Sequence, residues 1–202
     1  MNFTIPGLPE RTAKPRNNGL TMMMDKGLSI RQVEDVIASS HQFIDIAKLG
    51  FGTSFITNDL EKKIALYKEA DIKACFGGTL FEVFVAKGLF EEYRKLVDKH
   101  KLELTEVSDG CIDMPHDEKC KYISKLSEQT TVVSEVGSKD SDIIIPPYKW
   151  IELINKELEA GSWKVIGEAR EGGNVGLFRS SGEVRSGLVD EILTKIPAEK
   201  ML

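Results

Sequence analysis

The sequence predicts a parallel α/β protein of the TIM-barrel type, and three observations favour this class. Short apolar and β-prone segments alternate with longer amphipathic segments along the chain. The strand-like segments recur about every 29 residues, which is close to the length of one βα unit. Each ends in charged residues or glycine, and a barrel builds its active site from groups at its strand ends. A TIM barrel is therefore favoured over an open doubly wound sheet.

The composition is that of one globular domain. The chain has 202 residues, of which 41% are hydrophobic and 29% charged, so it is long enough for a sizeable core. A net charge of −5 argues against a general nucleic-acid or anionic-membrane binder, although a few Arg and Lys side chains suffice for a local anion site. The apolar runs are far shorter than the ~20 residues of a membrane span, and the N-terminus lacks the apolar core of a signal peptide. We therefore expect no membrane association and a cytoplasmic location.

The three cysteines agree with a reducing compartment, because they form no Cys-x-x-Cys pair and leave an odd one over. Cys111, His116 and Cys120 lie near one another in sequence, but their spacing fits no zinc pattern. We interpret them as ordinary loop and helix residues.

Six strands are predicted within a single (β/α)-barrel domain. Residues 1–13 carry no periodicity and are expected to form an irregular arm, which leaves residues 14–202 for the barrel. The β-prone runs predict strands at residues 20–25, 43–49, 72–76, 102–107, 131–136 and 163–169. Gly77 and Gly78, at the exit of the third strand, suit either the close approach of a ligand or a simple tight turn.

Helices are predicted between the strands from the 3.6-residue spacing of apolar residues. The expected ranges are 29–40, 57–70, 80–99, 115–127, 146–160 and 184–193. Ser29 is a suitable N-cap for the first of them. Gly88 is expected to break or bend the long third segment.

Charged side chains follow apolar ones on the same face of several predicted strands. Side chains two residues apart along a strand share a face, and this alternation places five charged residues beyond apolar ones: Lys48, Glu106, Glu135, Glu168 and Arg170. Asp25 is expected to join them from the first strand and to help bind substrate. If this face points into a barrel, the charges meet at one mouth. Burying them together costs several kcal/mol unless they pair or bind something.

Two interpretations of this cluster stay open. Glu106, Glu135 and Glu168 together suit Mg²⁺, a hard cation that takes oxygen ligands and keeps waters for a substrate's phosphate or carboxylate. Alternatively, the same glutamates form an internal ion-pair network with Lys48 and Arg170. The two cations also suit an anionic substrate, with Arg170 as a bidentate clamp and Lys48 as a point charge or proton donor. Lys48 is expected to be the only lysine on the inner face of a strand.

Other candidate substrate-binding residues lie in a glycine-rich loop and in a basic segment. Gly172 and Gly173, followed by Arg179, offer backbone N–H groups and a guanidinium for a phosphate. Lys14 and Arg16 precede the first strand and are expected at the bottom of the barrel, unless they fold over the surface or serve a neighbouring subunit. The sequence contains no P-loop, dinucleotide-binding or serine-hydrolase motif, which lowers the expectation of those activities.

Six short motifs occur in order along the chain: Lys14-Pro15-Arg16, Gly19-Leu20-Thr21, Asp25-Lys26-Gly27, Lys48-Leu49-Gly50-Phe51-Gly52, Glu106-Val107-Ser108-Asp109-Gly110 and Gly167-Glu168-Ala169-Arg170-Glu171. Together they resemble the phosphosulfolactate synthase family, over the chain from about residue 11 to the C-terminus. The resemblance implies a TIM-type barrel that carries out a Mg²⁺-dependent addition of sulfite to phosphoenolpyruvate, giving (2R)-phospho-3-sulfolactate. In archaea this reaction opens coenzyme M biosynthesis, and some bacteria make sulfolactate in this way.

The implied chemistry agrees with the expected charges. Attack of sulfite on the methylene carbon of phosphoenolpyruvate pushes negative charge onto the substrate carboxylate, and Mg²⁺ can stabilise the aci-carboxylate that results. By position, the three glutamates are expected to be metal ligands or to orient them. Lys48, Glu106 and Glu168 are the expected catalytic residues, with Lys48 as the general acid. Arg170, together with the basic residues before the first strand if they reach the mouth, is expected to hold phosphate or sulfite.

Two other functions remain as alternatives. Plant heat-stress proteins resemble the same family, so the scaffold is also compatible with a non-enzymatic role in protein homeostasis. The charges equally suit another Mg²⁺-dependent lyase or aldolase that acts on a small phosphorylated acid. The charged residues retained at the strand ends favour an enzyme over a non-catalytic homologue.

The strand count predicts an incomplete barrel. Six strands are placed by Ala169, and one further period of about 29 to 33 residues after Trp163 starts a seventh shortly before Leu202, the last residue. A closed eight-stranded barrel would then lack its last two strands. Open apolar edges invite association, so we expect a homo-oligomer. Loops after strands seven and eight of TIM barrels often bind phosphate, so residues 1–202 alone are expected to bind phosphoenolpyruvate poorly.

Overall fold

Parallel strands alternate with helices in the computed structural model, which describes residue 3 and residues 5–138 and 143–202. The strands in these ranges are β1 (Met22–Asp25), β2 (Ile46–Leu49), β3 (Lys73–Phe76), β4 (Leu104–Val107), β5 (Thr131–Val136) and β6 (Lys164–Gly167). All six predicted strands are present. The fifth has the predicted bounds, and the others are shorter than the β-prone runs at one or both ends.

The helices also follow the predicted order. They are α1 (Ile30–Ser40), α2 (Leu60–Glu69), α3 (Gly78–Ala86), α4 (Phe90–Lys99), α5 (His116–Ser127), α6 (Pro147–Glu159) and α7 (Ser186–Leu193). Ser29 caps α1 in a capping box with Gln32, which confirms the predicted N-cap. Gly88 adopts a φ of +69° between α3 and α4, so the long third segment is two helices, as the glycine predicted. No helix in the described part of the chain is long and apolar enough to cross a membrane.

The strands form two three-stranded parallel sheets that adjoin along β3 and β4. One sheet has the order β1-β2-β3 and the other β4-β5-β6. Lys48 is level with Met24 and Cys75 in the first sheet, whereas Glu106 is level with Val133 and Glu135 with Ile166 in the second. Because Glu106 is level with Val133, Glu135 lies two residues further along its own strand. An offset of this kind between neighbouring strands is the geometry from which a (β/α) barrel is built.

The inner face of the strands carries its own apolar cluster. Ile46, Cys75, Leu104 and Val133 are buried there, with Ile166 packed against them. This confirms the predicted alternation, because Ile46, Leu104 and Val133 are the apolar residues two positions before the charged ones. A larger core lies between the strands and the helices, where Tyr67, Phe81 and Tyr93 are fully buried.

The expectation that Lys48 is the only lysine on the inner face is wrong. Lys73 pairs in register with Ile46, and Lys164 with Val133, so both share the inward parity. Both ammonium groups lie over the ring of Trp163, at 5.6 Å and 4.8 Å from its centroid. They belong to the amino-terminal ends of their strands, opposite the end that carries Lys48.

The last residues pair with β6. Met201 forms a parallel bridge with Val165, and the Leu202 N–H donates to the Val165 carbonyl at 2.9 Å. The expected start of a seventh strand, 29 to 33 residues after Trp163, falls at about residues 192–196, which are the end of α7 and the residues just after it. The parallel bridge lies later, at Met201. Lys26, after β1, forms an ion pair with Glu171, after β6, so the exit loops of these two strands are in contact.

Candidate active site

Lys48 is the centre of a buried charged group at the carboxyl ends of the strands. Its Nζ lies 2.9 Å from Oε1 and 2.7 Å from Oε2 of Glu106, and 3.7 Å from Oε2 of Glu135. The three side chains come from β2, β4 and β5 and are 12%, 2% and 9% exposed. The structure thus brings together three of the charges that the alternation predicted to meet.

The electrostatics of this group favour a charged lysine. Burial by itself lowers the pKa of Lys48, but Glu106 and Glu135 outweigh it and raise the pKa above its ordinary value. Burial raises the pKa of the Glu106 carboxyl, and the neighbouring Glu135 raises it further, while Lys48 acts in the opposite direction. At neutral pH the ammonium therefore carries its proton and faces two acidic groups.

Gly78 allows the start of α3 to close over Glu106. Its backbone N–H donates to the Glu106 carboxylate. A Cβ at this position would lie 2.1 Å from Ser108 Oγ and 2.9 Å from Glu106 Oε1. Gly77 is also confined, since a Cβ there would lie 3.1 Å from the Leu49 carbonyl oxygen. The close backbone approach that the two glycines suggested is therefore made to the protein's own strand ends.

Glu168 follows β6 and is 3% exposed. Its Oε1 accepts a hydrogen bond from the Arg170 N–H at 2.6 Å. A Cβ at Gly176 would lie 1.9 Å from the Glu168 carbonyl oxygen, so the loop after β6 folds tightly back over this residue. In the described ranges, no group of three or more His, Cys, Asp or Glu side chains is placed to hold a metal ion. Glu106 and Glu135 converge on Lys48, and the three-glutamate ligand set stays a prediction.

Asp25 lies elsewhere, and its expected place at the mouth is wrong. Met24 is level with Lys48, so Asp25 points to the opposite face of β1. There it is fully buried and accepts hydrogen bonds from Lys63 Nζ at 3.1 Å and Tyr67 Oη at 2.9 Å, as well as from the Gly27 and Leu28 N–H groups. Asp25 thereby ties β1 to α2.

Lys14 and Arg16 lie at the amino-terminal ends of the strands, as their position before β1 predicted. Arg16 pairs with Asp45 at 2.8 Å, immediately before β2, and its side chain is 2% exposed. Lys14 Nζ donates to the Asp71 carbonyl at 2.7 Å, just before β3. These contacts engage both cations at the end of the barrel opposite Lys48.

The glycine-rich loop after β6 remains at the carboxyl side of the strands. Arg170 is exposed and adopts a φ of +47°, and the Gly173 N–H donates back to its carbonyl at 3.2 Å. Gly172 is exposed, and Arg179 forms an ion pair with Glu183 at 3.4 Å. These contacts of Arg170, Gly173 and Arg179 are internal to the segment, whereas Glu171 pairs with Lys26 after β1.

The sequence prediction missed several buried charged residues near the strand ends, among them Lys63, Glu82 and Lys119. Lys63 lies four residues before Tyr67, and Lys119 four before Ile123, on the apolar stripes of α2 and α5. Glu82 is the one charged residue of α3. The sequence signal for such a residue is a single charge within the apolar stripe of a helix, because a charge buried there requires a polar partner.

The chain is similar to known synthases over nearly its whole length. A model of the (2R)-phospho-3-sulfolactate synthase (ComA) family matches residues 9–202. The phosphosulfolactate synthase of Bacillus subtilis (strain 168) is 42% identical over 196 residues, which cover 96% of this chain and 78% of that protein. The phosphosulfolactate synthase of Methanocaldococcus jannaschii is 36% identical, over 91% of this chain and 76% of that protein.

Solved structures support the fold. A 3-hexulose-6-phosphate synthase superposes with a TM-score of 0.54 at 16% identity, covering 85% of this chain and 74% of that one. The enzyme of the same name from Salmonella typhimurium gives a TM-score of 0.58 at 10% identity, covering 89% and 75%. Identities this low show the barrel-type fold alone, whereas the family model and the curated relatives go further: this chain belongs to the (2R)-phospho-3-sulfolactate synthase family.

Proposed function

We propose that this protein is a phosphosulfolactate synthase that adds sulfite to phosphoenolpyruvate with the aid of Mg²⁺, giving (2R)-phospho-3-sulfolactate. The observation that carries the proposal is the convergence of Lys48, Glu106 and Glu135 at the carboxyl ends of three strands. Active sites of (β/α) barrels lie at this end. Family membership provides the reaction, and the strand-end group provides residues suited to it.

The reaction needs one carbon–sulfur bond and one proton. The sulfur lone pair of sulfite attacks the methylene carbon of phosphoenolpyruvate, and the π electrons move towards the neighbouring carbon and its carboxylate. That neighbouring carbon then takes a proton, and the phosphate ester stays in place. Lys48 is the proposed donor, because its raised pKa keeps the proton on Nζ at neutral pH. Lys48 is afterwards reprotonated by water.

The two carboxylates also bear on the acidity of Lys48. Its pKa is raised by Glu106 and Glu135, so any partner that takes these carboxylates away from the ammonium lowers the pKa towards its ordinary value. A lysine with a lower pKa releases its proton more readily. Substrate binding and proton release are coupled in this way through the same three side chains.

The carboxylates suit Mg²⁺ with two protein ligands. Mg²⁺ is commonly held by one or two carboxylates and fills its remaining positions with water and substrate oxygens. Glu106 and Glu135 would hold it, with Glu168, the residue after β6, as an acceptor already oriented by the Arg170 N–H. When bound, Mg²⁺ would supply electrostatic stabilisation of the negative charge that develops on the substrate carboxylate.

The experiment is a product assay with defined omissions. Purified protein is incubated with phosphoenolpyruvate, sulfite and Mg²⁺ over a range of phosphoenolpyruvate concentrations, and phosphosulfolactate is identified by mass spectrometry and ³¹P NMR. We expect product only when both substrates are present, loss of product with EDTA, and recovery when Mg²⁺ is restored. A folded protein that forms no product contradicts the proposed function. Full activity in EDTA contradicts the metal part alone.

A further inference from the structure

Glu82 is a buried acid to which the proposed reaction assigns no role. It lies on α3, is 1% exposed, and faces residues 108–111, which we call the β4 exit loop. Its Oε1 accepts from the Ser108 hydroxyl and, at 3.2 Å, from the Gly110 N–H. Its Oε2 accepts from the Cys111 N–H at 2.7 Å. One carboxylate thus receives hydrogen bonds from three groups of a single loop.

These bonds couple the charge of Glu82 to the conformation of the loop. A buried carboxylate is costly unless donors surround it, and hydrogen bonds to an ionised acceptor are about twice as strong as neutral ones. If the β4 exit loop opened, Glu82 would lose these donors while still enclosed by the protein. The closed loop is therefore the favoured state.

A second helix, α5, also holds the loop. Lys119 Nζ donates to Asp109 Oδ1 at 2.9 Å and to the Glu135 carbonyl at 2.6 Å. It also pairs with Glu157 at 2.8 Å. Side chains of α3 and α5 consequently both hold residues of the β4 exit loop, and Lys119 also binds the backbone carbonyl of Glu135.

The Glu82 contacts reach the candidate active site through Gly78 and Ser108. Gly78 and Glu82 are four residues apart on α3 and so lie on one helical face. The Gly78 N–H donates to Glu106, and Ser108, held by Glu82, packs against the Cα of Gly78. Glu106 lies two residues before Ser108 on β4, so the same helical face holds both the catalytic strand end and the loop that follows it.

We propose that Glu82 is a positioning residue for the reaction: it keeps the β4 exit loop closed so that Glu106 stays aligned with Lys48. This inference rests on the proposed function, because it concerns turnover at the same site. It predicts that loosening the loop lowers kcat more than it weakens substrate binding, since misplacing a reacting group by about 1 Å can cost about 100-fold in rate.

The first test replaces Glu82 by Gln, which keeps the shape but puts an NH₂ group against loop donors. We expect kcat to fall about tenfold or more with KM for phosphoenolpyruvate within about threefold. Amide hydrogen exchange at Gly110 and Cys111 should become faster, which is measurable without any substrate. Tyr93→Phe is the matched control, because it removes a buried 2.6 Å hydrogen bond to Thr105 of the same strand without touching the loop.

A double-mutant cycle with Ser108→Ala identifies the route of the effect. If Glu82 acts through Ser108, the kcat losses of the two single variants overlap and the double variant loses less than their product. Faster exchange with unchanged kcat, or a kcat loss no larger than in Tyr93→Phe, overturns the positioning role. Unchanged exchange at Gly110 and Cys111 overturns the closed-loop argument. A wild-type protein without turnover instead overturns the proposed function, and this catalytic inference with it.

Discussion

Among single residues, Lys48 has the largest part in the proposed reaction, which uses both its charge and its proton. Lys48→Arg keeps a cation between Glu106 and Glu135, but a guanidinium does not release a proton at neutral pH. We therefore expect kcat to fall about 100-fold or more while phosphoenolpyruvate binding persists. Steady-state kinetics and calorimetric titration measure the two effects separately.

The matched control for this substitution is Lys73→Met. Lys73 shares the inward parity but lies at the amino-terminal end of β3, so its replacement should leave kcat near the wild-type value. Near-normal turnover in Lys48→Arg would remove Lys48 from the role of acid. A similar loss in Lys73→Met would show that the assay responds to general disturbance of the barrel interior.

Asp25 and Lys63 form a stabilising pair in this structure, which predicts a change in stability when one partner is removed. Asp25→Asn leaves the Lys63 ammonium buried without its counter-ion, and we expect the free energy of unfolding to fall by about 3–5 kcal/mol. Urea denaturation of Asp25→Asn, Lys63→Met and the double variant measures this. The double variant should lose less than the sum of the two single variants.

Lys68→Met provides a comparison on the same helix. Lys68 is 62% exposed and pairs with Glu103 across the surface, so its loss should change stability by no more than about 0.5 kcal/mol. If the losses in unfolding free energy of Asp25→Asn and Lys63→Met simply added up in the double variant, Asp25 and Lys63 would not stabilise the protein as a pair.

Residue-level prediction from sequence succeeded where alternation alone decides the direction of a side chain. Lys48, Glu106 and Glu135 follow buried apolar residues at a spacing of two, and they meet as that spacing predicts. Asp25 failed because its register relative to β2 was unknown: Met24, one residue earlier, is the side chain level with Lys48. A shift of one residue moves a side chain to the other face.

At the scale of elements, the start of α3 is the feature most sensitive to a single added carbon. A Cβ at Gly78 would lie 2.6 Å from Ser108 Cβ as well as close to Glu106, and no rotation of the serine hydroxyl relieves that contact. Gly78→Ala should lower kcat about tenfold or more and the free energy of unfolding by about 1–3 kcal/mol. Kinetics and urea denaturation of the same preparation check both.

Gly187→Ala is the control, because a Cβ there would meet nothing within 4 Å and α7 is far along the chain from the site. It should leave kcat unchanged and raise the free energy of unfolding by up to ~1 kcal/mol through helix propensity. If Gly78→Ala behaved like Gly187→Ala, the tight packing of α3 against Glu106 would be refuted.

Elements were predictable from sequence in order and type, whereas their polar contacts were not. Apolar periodicity predicted six helical segments and β-prone runs predicted the six strands of the described ranges, and Gly88 divides the third helical segment into α3 and α4. Periodicity does not say which strand a helix faces. The partners of Lys63, Glu82 and Lys119 depend on that packing, so these buried charges were visible only as exceptions within apolar stripes.

At the scale of the whole molecule, one repeat length accounts for the architecture. A period of about 29 residues places the six parallel strands of the described ranges. The repeat brings every strand end to the same side, which is why charges distant in sequence, such as Lys48 and Glu135, share one site. The opposite end of the strands carries Arg16 paired with Asp45, and two lysines over Trp163. Buried cations therefore occur at both ends and do not by themselves indicate where the candidate active site lies.

The proposed reaction adds sulfite to phosphoenolpyruvate and delivers one proton to the neighbouring carbon. Turnover in deuterium oxide, followed by ¹H and ¹³C NMR of the product, distinguishes this reaction from others. We expect phosphosulfolactate with a single deuterium on the carbon that bears the phosphate and two protons retained on the carbon bonded to sulfur. Deuterium in the methylene group, or consumption of phosphoenolpyruvate without carbon–sulfur bond formation, would contradict it.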